Sequence, residues 1–497
     1  MGIMSTIGTA FMSLMTPVAI GLMLFGCVVG IIFGAIPGLS GMLGVALLLP
    51  VTFGMTEANG FALLLSVWVG GVSGAFISAT LLGIPGSTSS IATCYDAYPM
   101  CRKGQVVKAL KAGILGSFIG TFFSVIIATF LSPPIAHLAV KLGPWEYFSL
   151  CTCAIVLVVG LSQGDTVRGL ASAFIGLLLC SVGFSPIDAY RRFTFDNYNL
   201  LGGIDTIALV LGMFAIRLIA SDFSKGGLKP PEMEKVDIRG AGITLQEWKD
   251  NLVNIIRSFF IGLWIGFLPG MGSGLSNMVA YAQAKSSSKH PERFGQGCID
   301  GVFASEVSNN ASVGGAVIPM VALGIPVDST TAILLGGLVI HGIEPGPLLF
   351  DQHGTFVYMV FIAILLSAIM VLIIELLTMR FYPKVLTIPY HYLYPALLVI
   401  AFIGSFTSTN TLFNCGVMLV MAALGMLMDY FRLPISPLLL AYILGSMLEQ
   451  NLRKGLTYTS EGFITFLTRP VSAIFLLIAV ATLVAPLLRN RRAKKLS

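Results

Sequence analysis

Residues 301–346 combine an apolar composition with polar side chains and a helix break, a combination typical of binding sites inside membranes. The stretch reads GVFASEVSNNASVGGAVIPMVALGIPVDSTTAILLGGLVIHGIEPG. Its polar side chains are Glu306, Asn309, Asn310, Asp328, Ser329 and Thr330. A charged side chain costs about 2.5 to 3.5 kcal/mol at the bilayer centre unless it faces protein, water or a ligand. We therefore expect this segment to line a site.

The overall composition indicates a polytopic membrane protein. The chain is 56% hydrophobic and only 10% charged, whereas soluble domains are about 25% charged. We count about 11 to 14 hydrophobic segments, several of them short or broken. The predicted fold class is all-α, an inverted-topology repeat with discontinuous or re-entrant helices.

Several other classes of protein are disfavoured. No Lys or Arg precedes Arg102, so the N-terminus does not read as a cleavable signal peptide. The eight Cys residues lie mostly in apolar runs, which predicts no redox or metal chemistry. The net charge of +6 owes five positives to the C-terminal tail, a topology signal rather than a nucleic-acid patch.

Two kinds of break recur in the same order along the chain. GAIPGLSG at 34–41 resembles GFLPGMGSG at 266–274, and Gly-Ile-Pro at 83–85 recurs at 324–326. We therefore predict a first membrane repeat at 1–220, a polar linker at 221–250, a second membrane repeat at 251–488 and a basic cytoplasmic tail at 489–497. Paired discontinuous segments in two halves are the best sequence pointer to the midplane site of a secondary transporter.

The distribution of basic residues predicts opposite orientations for the two halves. In the first half, the loop between the breaks lacks Lys and Arg, and the loop after the second break has four. In the second half this order is reversed, with Lys285, Lys289 and Arg293 between the breaks. Because basic loops stay in the cytoplasm, an inverted repeat is expected.

A half-helix that begins inside the membrane presents free N–H groups and about half a positive charge, which suits a carboxylate. Half-helices are expected to begin near the proline of each break. The predicted substrate-binding residues are Pro37, Gly38, Ser40, Gly41, Gly83, Pro85, Gly86, Ser87, Thr88, Ser89, Pro269, Gly270, Gly272, Ser273, Gly274, Asn309, Asn310, Gly324, Pro326, Ser329 and Thr330.

Asp328, Glu306 and Asn310 are the candidates for binding a coupling cation, Na⁺ or H⁺; we expect no resident metal or cofactor. Asp328 has an alternative role as the cap of the half-helix after Pro326. Glu306, Asn309 and Asn310 lie on one helix face, where they would also suit a hydrogen-bond cluster between helices.

These motifs resemble those of the large membrane subunit of the tripartite tricarboxylate transporter family. The matching segments are PGLSG from Pro37, GIPGS from Gly83, DAYPM from Asp96, PGMGSG from Pro269, SEVSNNA from Ser305, GIP from Gly324 and HGIEPGP from His341. Together they cover nearly the whole chain.

The resemblance implies a cation-coupled importer of tricarboxylates such as citrate, or of related carboxylates. It also implies two partners, a small membrane subunit and a periplasmic solute-binding protein. One departure stands out, because the family usually repeats GIPGS in the second half and this chain has Gly-Ile-Pro-Val-Asp-Ser at 324–329. The departure leaves the substrate and the coupling ion open, and the sequence leaves dimerisation open.

Three other functions compete with this interpretation. One is a transporter of another organic anion that works without a binding protein. A second is an intramembrane serine protease, because Gly38-Leu-Ser-Gly41 matches a GxSG pattern, although Ser40 would need a His base within hydrogen-bond reach. A third is a channel, for which no filter-like motif is present. We expect no enzyme.

Overall fold

The computed structural model describes residues 3–161, 166–224, 240–270 and 272–496, and these residues are almost entirely helical. Two short strands, β1 (Gly183–Phe184) and β2 (Arg191–Arg192), pair antiparallel, with Gly183 opposite Arg192. The prediction of an all-α polytopic fold is confirmed.

Among the described residues before 225 there are ten α-helices. They are α1 (Ile3–Leu14), α2 (Pro17–Ala35), α3 (Gly41–Leu48), α4 (Glu57–Leu82), α5 (Ile91–Arg102), α6 (Val106–Ala139), α7 (Pro144–Leu161), α8 (Thr166–Cys180), α9 (Thr206–Val210) and α10 (Arg217–Ser224). Short 3₁₀ turns follow α3 and precede α5, at Pro50–Thr52 and Thr88–Ser90. A π-helical turn, Leu211–Ile216, joins α9 to α10.

The described part of the chain after residue 244 contains twelve α-helices. They are α11 (Leu245–Phe267), α12 (Gly272–Ser287), α13 (Ile299–Leu323), α14 (Ser329–Ile340), α15 (Leu349–Gln352), α16 (Gly354–Thr378), α17 (Tyr382–Leu386), α18 (Tyr390–Thr409), α19 (Leu412–Tyr430), α20 (Ile435–Thr457), α21 (Ile464–Thr468) and α22 (Pro470–Leu496). The predicted linker, 221–250, overlaps α10 and α11 at its two ends, and its residues 225–239 lie outside the described residues. The predicted basic tail, 489–497, forms the end of α22 as far as residue 496, and residue 497 lies outside the described residues.

Within the described part of the chain, seven helical segments are long and apolar enough to cross a membrane. They are Pro17–Ala35, Glu57–Leu82, Val106–Ala139, Thr206–Ser224, Gly354–Leu386, Tyr390–Thr409 and Leu412–Tyr430. Large apolar side chains such as Phe130 and Leu377 are exposed on these segments, as expected for a surface that faces lipid.

Two units of the chain share one order of helices and breaks. In the first unit α2 ends at a break, α3 begins, and α4 leads to a second break before α5. In the second unit α11, α12, α13 and α14 take the same places. Gly83 ends α4 and Gly324 ends α13, each in the left-handed conformation with φ 69°, which glycine adopts without a steric penalty.

The basic loops of the two units meet at one end of the molecule. Lys103 Nζ donates to the Gln296 carbonyl at 2.6 Å. Asp96 Oδ1 accepts backbone N–H bonds from Gly295, Gly297 and Cys298, each at 2.9 Å. The loops after α3 and α14 meet elsewhere, where Thr52 Oγ1 lies 3.1 Å from His341 Nε2. This pairing of loops agrees with the expected inverted repeat.

The two units are also interlocked. We call α4 and α13, the helices that lie between the two breaks of each unit, the hairpin helices. Each packs against a long helix of the other unit: α6 lies along α13, and α16 lies along α4. Ser66 and Ser367 join α4 to α16 by a hydroxyl hydrogen bond of 2.8 Å. Consequently, neither unit buries its own hairpin helix alone.

Glycines allow the first helix of each unit, α2 or α11, to approach the hairpin helix of the same unit closely. A Cβ atom on Gly30 of α2 would lie 2.4 Å from the Val67 carbonyl oxygen of α4. In the second unit, a Cβ on Gly266 of α11 would lie 2.4 Å from the Ser312 carbonyl oxygen of α13. Such small-residue contacts stabilise membrane helices by close packing of their backbones.

We expect Gly30→Ala to destabilise the protein, because the new methyl group forces α2 away from α4. Overpacking of this kind typically costs about 1 to 3 kcal/mol, which should lower the melting temperature of the purified protein in detergent. Gly21→Ala on the same helix is the matched control, since a Cβ there meets nothing within 4 Å. Equal melting temperatures for the two variants would contradict the packing argument.

Candidate functional site

The breaks of both units converge on one cavity of about 490 Å³. This volume lies within the range of about 300 to 1,000 Å³ that is usual for small-molecule sites. The sequence-predicted residues that line it are Gly38, Ser40, Gly41, Gly86, Ser87, Thr88, Ser89, Gly270, Gly272, Ser273, Gly274, Asp328, Ser329 and Thr330. The breaks therefore share one site although they are far apart in sequence.

The first unit supplies hydroxyl groups at two helix starts. Ser40 has an extended backbone and caps α3, where its Oγ accepts the Leu43 N–H at 3.2 Å. Ser87 caps the turn before α5, where its Oγ lies 2.6 Å from Ser89 Oγ and 3.3 Å from Ser89 N. Because each cap uses the hydroxyl as an acceptor, the Ser40 O–H stays available as a donor.

The second unit supplies a carboxylate at the start of α14. Asp328 Oδ1 accepts the Thr331 N–H and the Thr331 hydroxyl, each at 2.8 Å. Thr331 Oγ1 in turn accepts the Asp328 N–H at 3.0 Å, which completes a capping box. The capping alternative for Asp328 is thus present in the structure, and both capping bonds end on Oδ1, so Oδ2 takes no part in the cap.

Backbone and hydroxyl dipoles, together with the Asp328 carboxylate, set the electrostatic character of the cavity. Of the described residues that line it, none is Lys, Arg or His. Helix N-termini carry about half a positive charge each, and α3, the turn before α5, α12 and α14 all begin at the cavity. These starts can hold an oxyanion without a cationic side chain.

Apolar side chains also line the cavity, and sequence reasoning missed them; we call them the apolar wall. Its residues are Met42, Trp68, Val158, Phe214 and Leu440. Phe214 lies in the π-helical turn between α9 and α10, and π-turns are frequent at functional sites. Hydrophobic periodicity and composition do not distinguish these residues from apolar residues of the protein core.

Ser436 of α20 is a polar residue of the cavity that was also missed. Its Oγ accepts a hydrogen bond of 3.2 Å from Ser329 Oγ, which joins α20 to the start of α14. The surrounding sequence, Leu-Pro-Ile-Ser-Pro at 433–437, was the available signal, because two prolines flank a hydroxyl inside an apolar run.

The predicted polar residues of α13 lie behind the cavity rather than on it. Glu306 accepts hydrogen bonds from Thr93 Oγ1, from Ser117 Oγ at 3.4 Å and from Asn310 Nδ2 at 3.4 Å. Asn309 Nδ2 donates to the Val72 carbonyl at 3.4 Å, and Val72 is itself a cavity residue. The hydrogen-bond cluster between helices, the alternative role for these residues, is therefore present at Glu306.

The remaining predicted residues shape the breaks without lining the cavity. They are Pro37, Gly83, Pro85, Pro269, Gly324 and Pro326. The Pro37 carbonyl accepts the Tyr390 hydroxyl at 3.3 Å. Gly270 N donates to the Val327 carbonyl at 2.7 Å, which joins the two breaks of the second unit.

The serine-protease alternative finds no support in the position of His341. Its ring lies beside Thr52 and Gly60, beyond the far end of α3 from Ser40. The Ser40 hydroxyl acts as a helix cap instead.

Another buried carboxylate, Glu375 of α16, was not among the predicted site residues. Both of its oxygens accept the Ser73 hydroxyl at 3.0 Å. A small void of about 10 Å³ separates it from Ser117 and Thr121 of α6. The signal in the sequence was a single charge within a long apolar run, which marks an intramembrane ionisable residue as functional by default.

Comparison with known proteins gives one family and two relatives. Residues 20–440 match the family described as "Tripartite tricarboxylate transporter TctA family". An uncharacterised 52.8 kDa protein in the TAR-I ttuC' 3' region of Agrobacterium vitis is 30% identical over 495 residues, covering 100% of this chain and 98% of that protein.

An uncharacterised protein in the TAR-II ttuC' 3' region of the same organism is 31% identical over 234 residues, covering 47% of this chain and 97% of that protein. No solved structure matches the chain. Given the family match across residues 20–440 and a relative aligned along the full length, the chain belongs to the tripartite tricarboxylate transporter TctA family.

Proposed function

We propose that this chain is the large transmembrane subunit of a secondary-active, cation-coupled importer, and that a carboxylate substrate binds in the cavity between the breaks. The observation that carries the proposal is the convergence of four helix starts from two units on one cavity of about 490 Å³. Oriented N–H groups and hydroxyls at such starts match the oxygens of a carboxylate.

Different residues of the cavity would bind the carboxylate groups and the carbon skeleton of the substrate. The hydroxyls of Ser40, Ser87 and Ser89 and the backbone around Gly272 supply donors for carboxylate oxygens. The apolar wall, which includes Trp68 and Phe214, contacts the carbon skeleton. Asp328 repels an anion that approaches alone, so a cation bound beside it would favour substrate binding.

The directions of the four half-helices support access to the site from both sides of the membrane. Starting at the cavity, α5 and α12 lead to the end with the basic loops. Starting at the same cavity, α3 and α14 lead to the loops that meet at Thr52 and His341. A site at this midpoint suits alternating access, in which each barrier opens in turn.

Membrane placement and partners follow from family membership and charge. We propose a bacterial cytoplasmic membrane, with the basic loops in the cytoplasm according to the positive-inside rule. We also propose a small membrane subunit and a periplasmic solute-binding protein as partners, because the family is named for a tripartite transporter. Tricarboxylates such as citrate are the first substrates to test.

Uptake into proteoliposomes is the direct test. The vesicles would hold this chain and its small membrane partner, with the binding protein outside and an inward Na⁺ gradient. We expect accumulation of labelled citrate or another carboxylate that collapses when the gradient is abolished with an ionophore. Uptake that equilibrates but never accumulates, with or without the gradient, would contradict secondary active transport and favour a channel.

Asp328→Asn separates the two roles of this residue. Asparagine can still cap α14 through its side-chain oxygen, so expression and melting temperature should remain near those of the unmodified chain. If the charge helps to bind the coupling cation, the Na⁺ concentration for half-maximal uptake should rise about tenfold, equivalent to about 1.4 kcal/mol. An unchanged Na⁺ dependence would leave Asp328 with capping alone.

A further inference from the structure

Glu375 of α16 is a buried carboxyl group with few hydrogen-bond donors. It is 0% exposed, and both of its side-chain oxygens lie 3.0 Å from a single hydroxyl, Ser73 Oγ of α4. Among the described residues, no other donor reaches these two oxygens. An ionised carboxylate offers about four acceptor sites, so one hydroxyl is a poor environment for a buried negative charge.

The two equal distances fit a protonated carboxyl group. The Ser73 hydroxyl carries one hydrogen, which it donates to one oxygen at a time. If Glu375 were ionised, the second contact would join two oxygens with no hydrogen between them. If Glu375 carries a proton, its own O–H donates to Ser73 Oγ while its other oxygen accepts the Ser73 O–H. Both contacts of 3.0 Å are then hydrogen bonds.

No positive charge faces Glu375 from the elements packed around it. The titratable groups near its side chain are Cys27 of α2, Glu306 of α13 and Tyr382 of α17. Helix α1 has no titratable side chain, and Glu57 is the first residue of α4. Within the described part of the chain, no salt bridge includes Glu375.

The basic residues of the neighbouring elements do not neutralise Glu375 either. Lys108 of α6 pairs with Glu247 at 2.7 Å. Lys111 Nζ lies 3.2 Å from the position that a Cβ on Gly242 would take. The remaining basic side chains of these elements are exposed, namely His137, Arg380 and Lys384. A buried carboxyl group without a cation favours its neutral, protonated form.

Glu306, which is also 0% exposed, has a different environment. Its carboxylate accepts hydrogen bonds from Thr93, Ser117 and Asn310. Ser117 also lines the void beside Glu375, so the two carboxyl groups lie near each other. Two like charges at short range disfavour ionisation of both groups. Since Glu306 has more donors, it is the better place for the charge and Glu375 for the proton.

We propose that Glu375 is a proton-binding site in the membrane interior, and that Ser73 holds the proton there by donating to one carboxyl oxygen and accepting from the other. The adjoining void of about 10 Å³ is lined by Ser117 and Thr121 as well as by Glu375. It has room for about one water molecule. A water in this void gives the proton a path on and off the carboxyl group.

The proton site links the cavity wall to the contact between the two units. Ser73 follows Val72, a cavity residue of α4, whereas Glu375 belongs to α16, which serves the other unit. A movement of α4 along α16 would separate Ser73 from Glu375, so proton binding depends on how the units are packed. In the proposed carrier, this makes H⁺ a coupling cation. That step rests on the proposed function, whereas proton binding at Glu375 does not.

Infrared spectroscopy of the purified full-length chain in detergent tests the proton site. A protonated carboxyl group has a C=O stretching band that is separate from the bands of carboxylates and amides. At neutral pH we expect such a band in the unmodified chain and its loss in Glu375→Gln. Glutamine has the same shape and can pair with Ser73 in the same reciprocal way, so this variant should keep the melting temperature of the unmodified chain.

Glu306→Gln and Glu449→Gln are the matched controls. Glu449 forms ion pairs with Arg192 and Arg453, which favour its ionised form. Both controls should keep the band that Glu375→Gln removes. A band that disappears in Glu306→Gln instead would place the proton on Glu306 and overturn the proposal. The proposal also fails if no band responds to Glu375→Gln.

If Glu375→Gln does not fold, Ser73→Ala gives an independent measurement. Removal of the hydroxyl takes a hydrogen bond from the C=O group, so the band should remain and move to higher frequency. A band at an unchanged frequency would contradict the role of Ser73.

Uptake into proteoliposomes separates the proton site from the transport function. In Glu375→Gln we expect carboxylate uptake that no longer responds to a pH gradient, and an unchanged response would refute H⁺ coupling through this residue. A Glu375 band without any uptake would reject the transport function and retain the proton site. Uptake without the band would retain the transport function and reject the proton site.

Discussion

Hydrocarbon offers no partner for a free backbone N–H or C=O, and the central architecture follows from that constraint. The chain breaks helices at four places near one cavity, and each break must satisfy its polar groups within the protein. Ser40, Ser87 and Asp328 do so as side-chain caps. Gly83 and Gly324 end their helices in the left-handed conformation, so that the chain can return to the cavity.

Burying the breaks together requires helices that approach closely. Gly71 and Gly41 illustrate this, because a Cβ atom on Gly71 would lie 2.2 Å from the Gly41 Cα. The same use of small residues brings α11 to α13 and α6 to α13. The long helices α6 and α16 are exchanged between the units, and the breaks of both units line the same cavity. The cavity therefore belongs to both units and to neither alone.

Polar groups that are close to one another in the fold differ in whether they line the cavity. Asp328 and the serines of the breaks face the cavity, whereas Glu306, Asn277 and Asn309 lie one layer behind it. The hydrogen bonds from the two asparagines to the Ser89 and Val72 carbonyls connect these layers.

The sequence by itself determined the membrane class, the helical fold, the family resemblance and the positions of the four breaks. Composition and the spacing of Gly and Pro suffice to predict these features, because unpaired polar groups and charges are costly in the hydrocarbon core of a bilayer. The charge pattern predicted opposite orientations for the two units, and the loop contacts of Lys103 and His341 agree with that prediction. Fourteen of the predicted substrate and cation residues line the cavity. They could be predicted because they lie at helix starts, which local sequence motifs mark.

Only the tertiary structure decided which polar residues face the cavity and which lie behind it. Glu306 and Asn310 carry the same sequence signal as Ser329, yet the rotation of α13 turns them toward α5 and α6. The apolar wall and Ser436 come from helices distant in sequence, so no local pattern announces them. The pairing of Glu375 with Ser73 emerges only when every hydrogen bond around them is assigned, because satisfaction of a polar atom is a property of its neighbours in space.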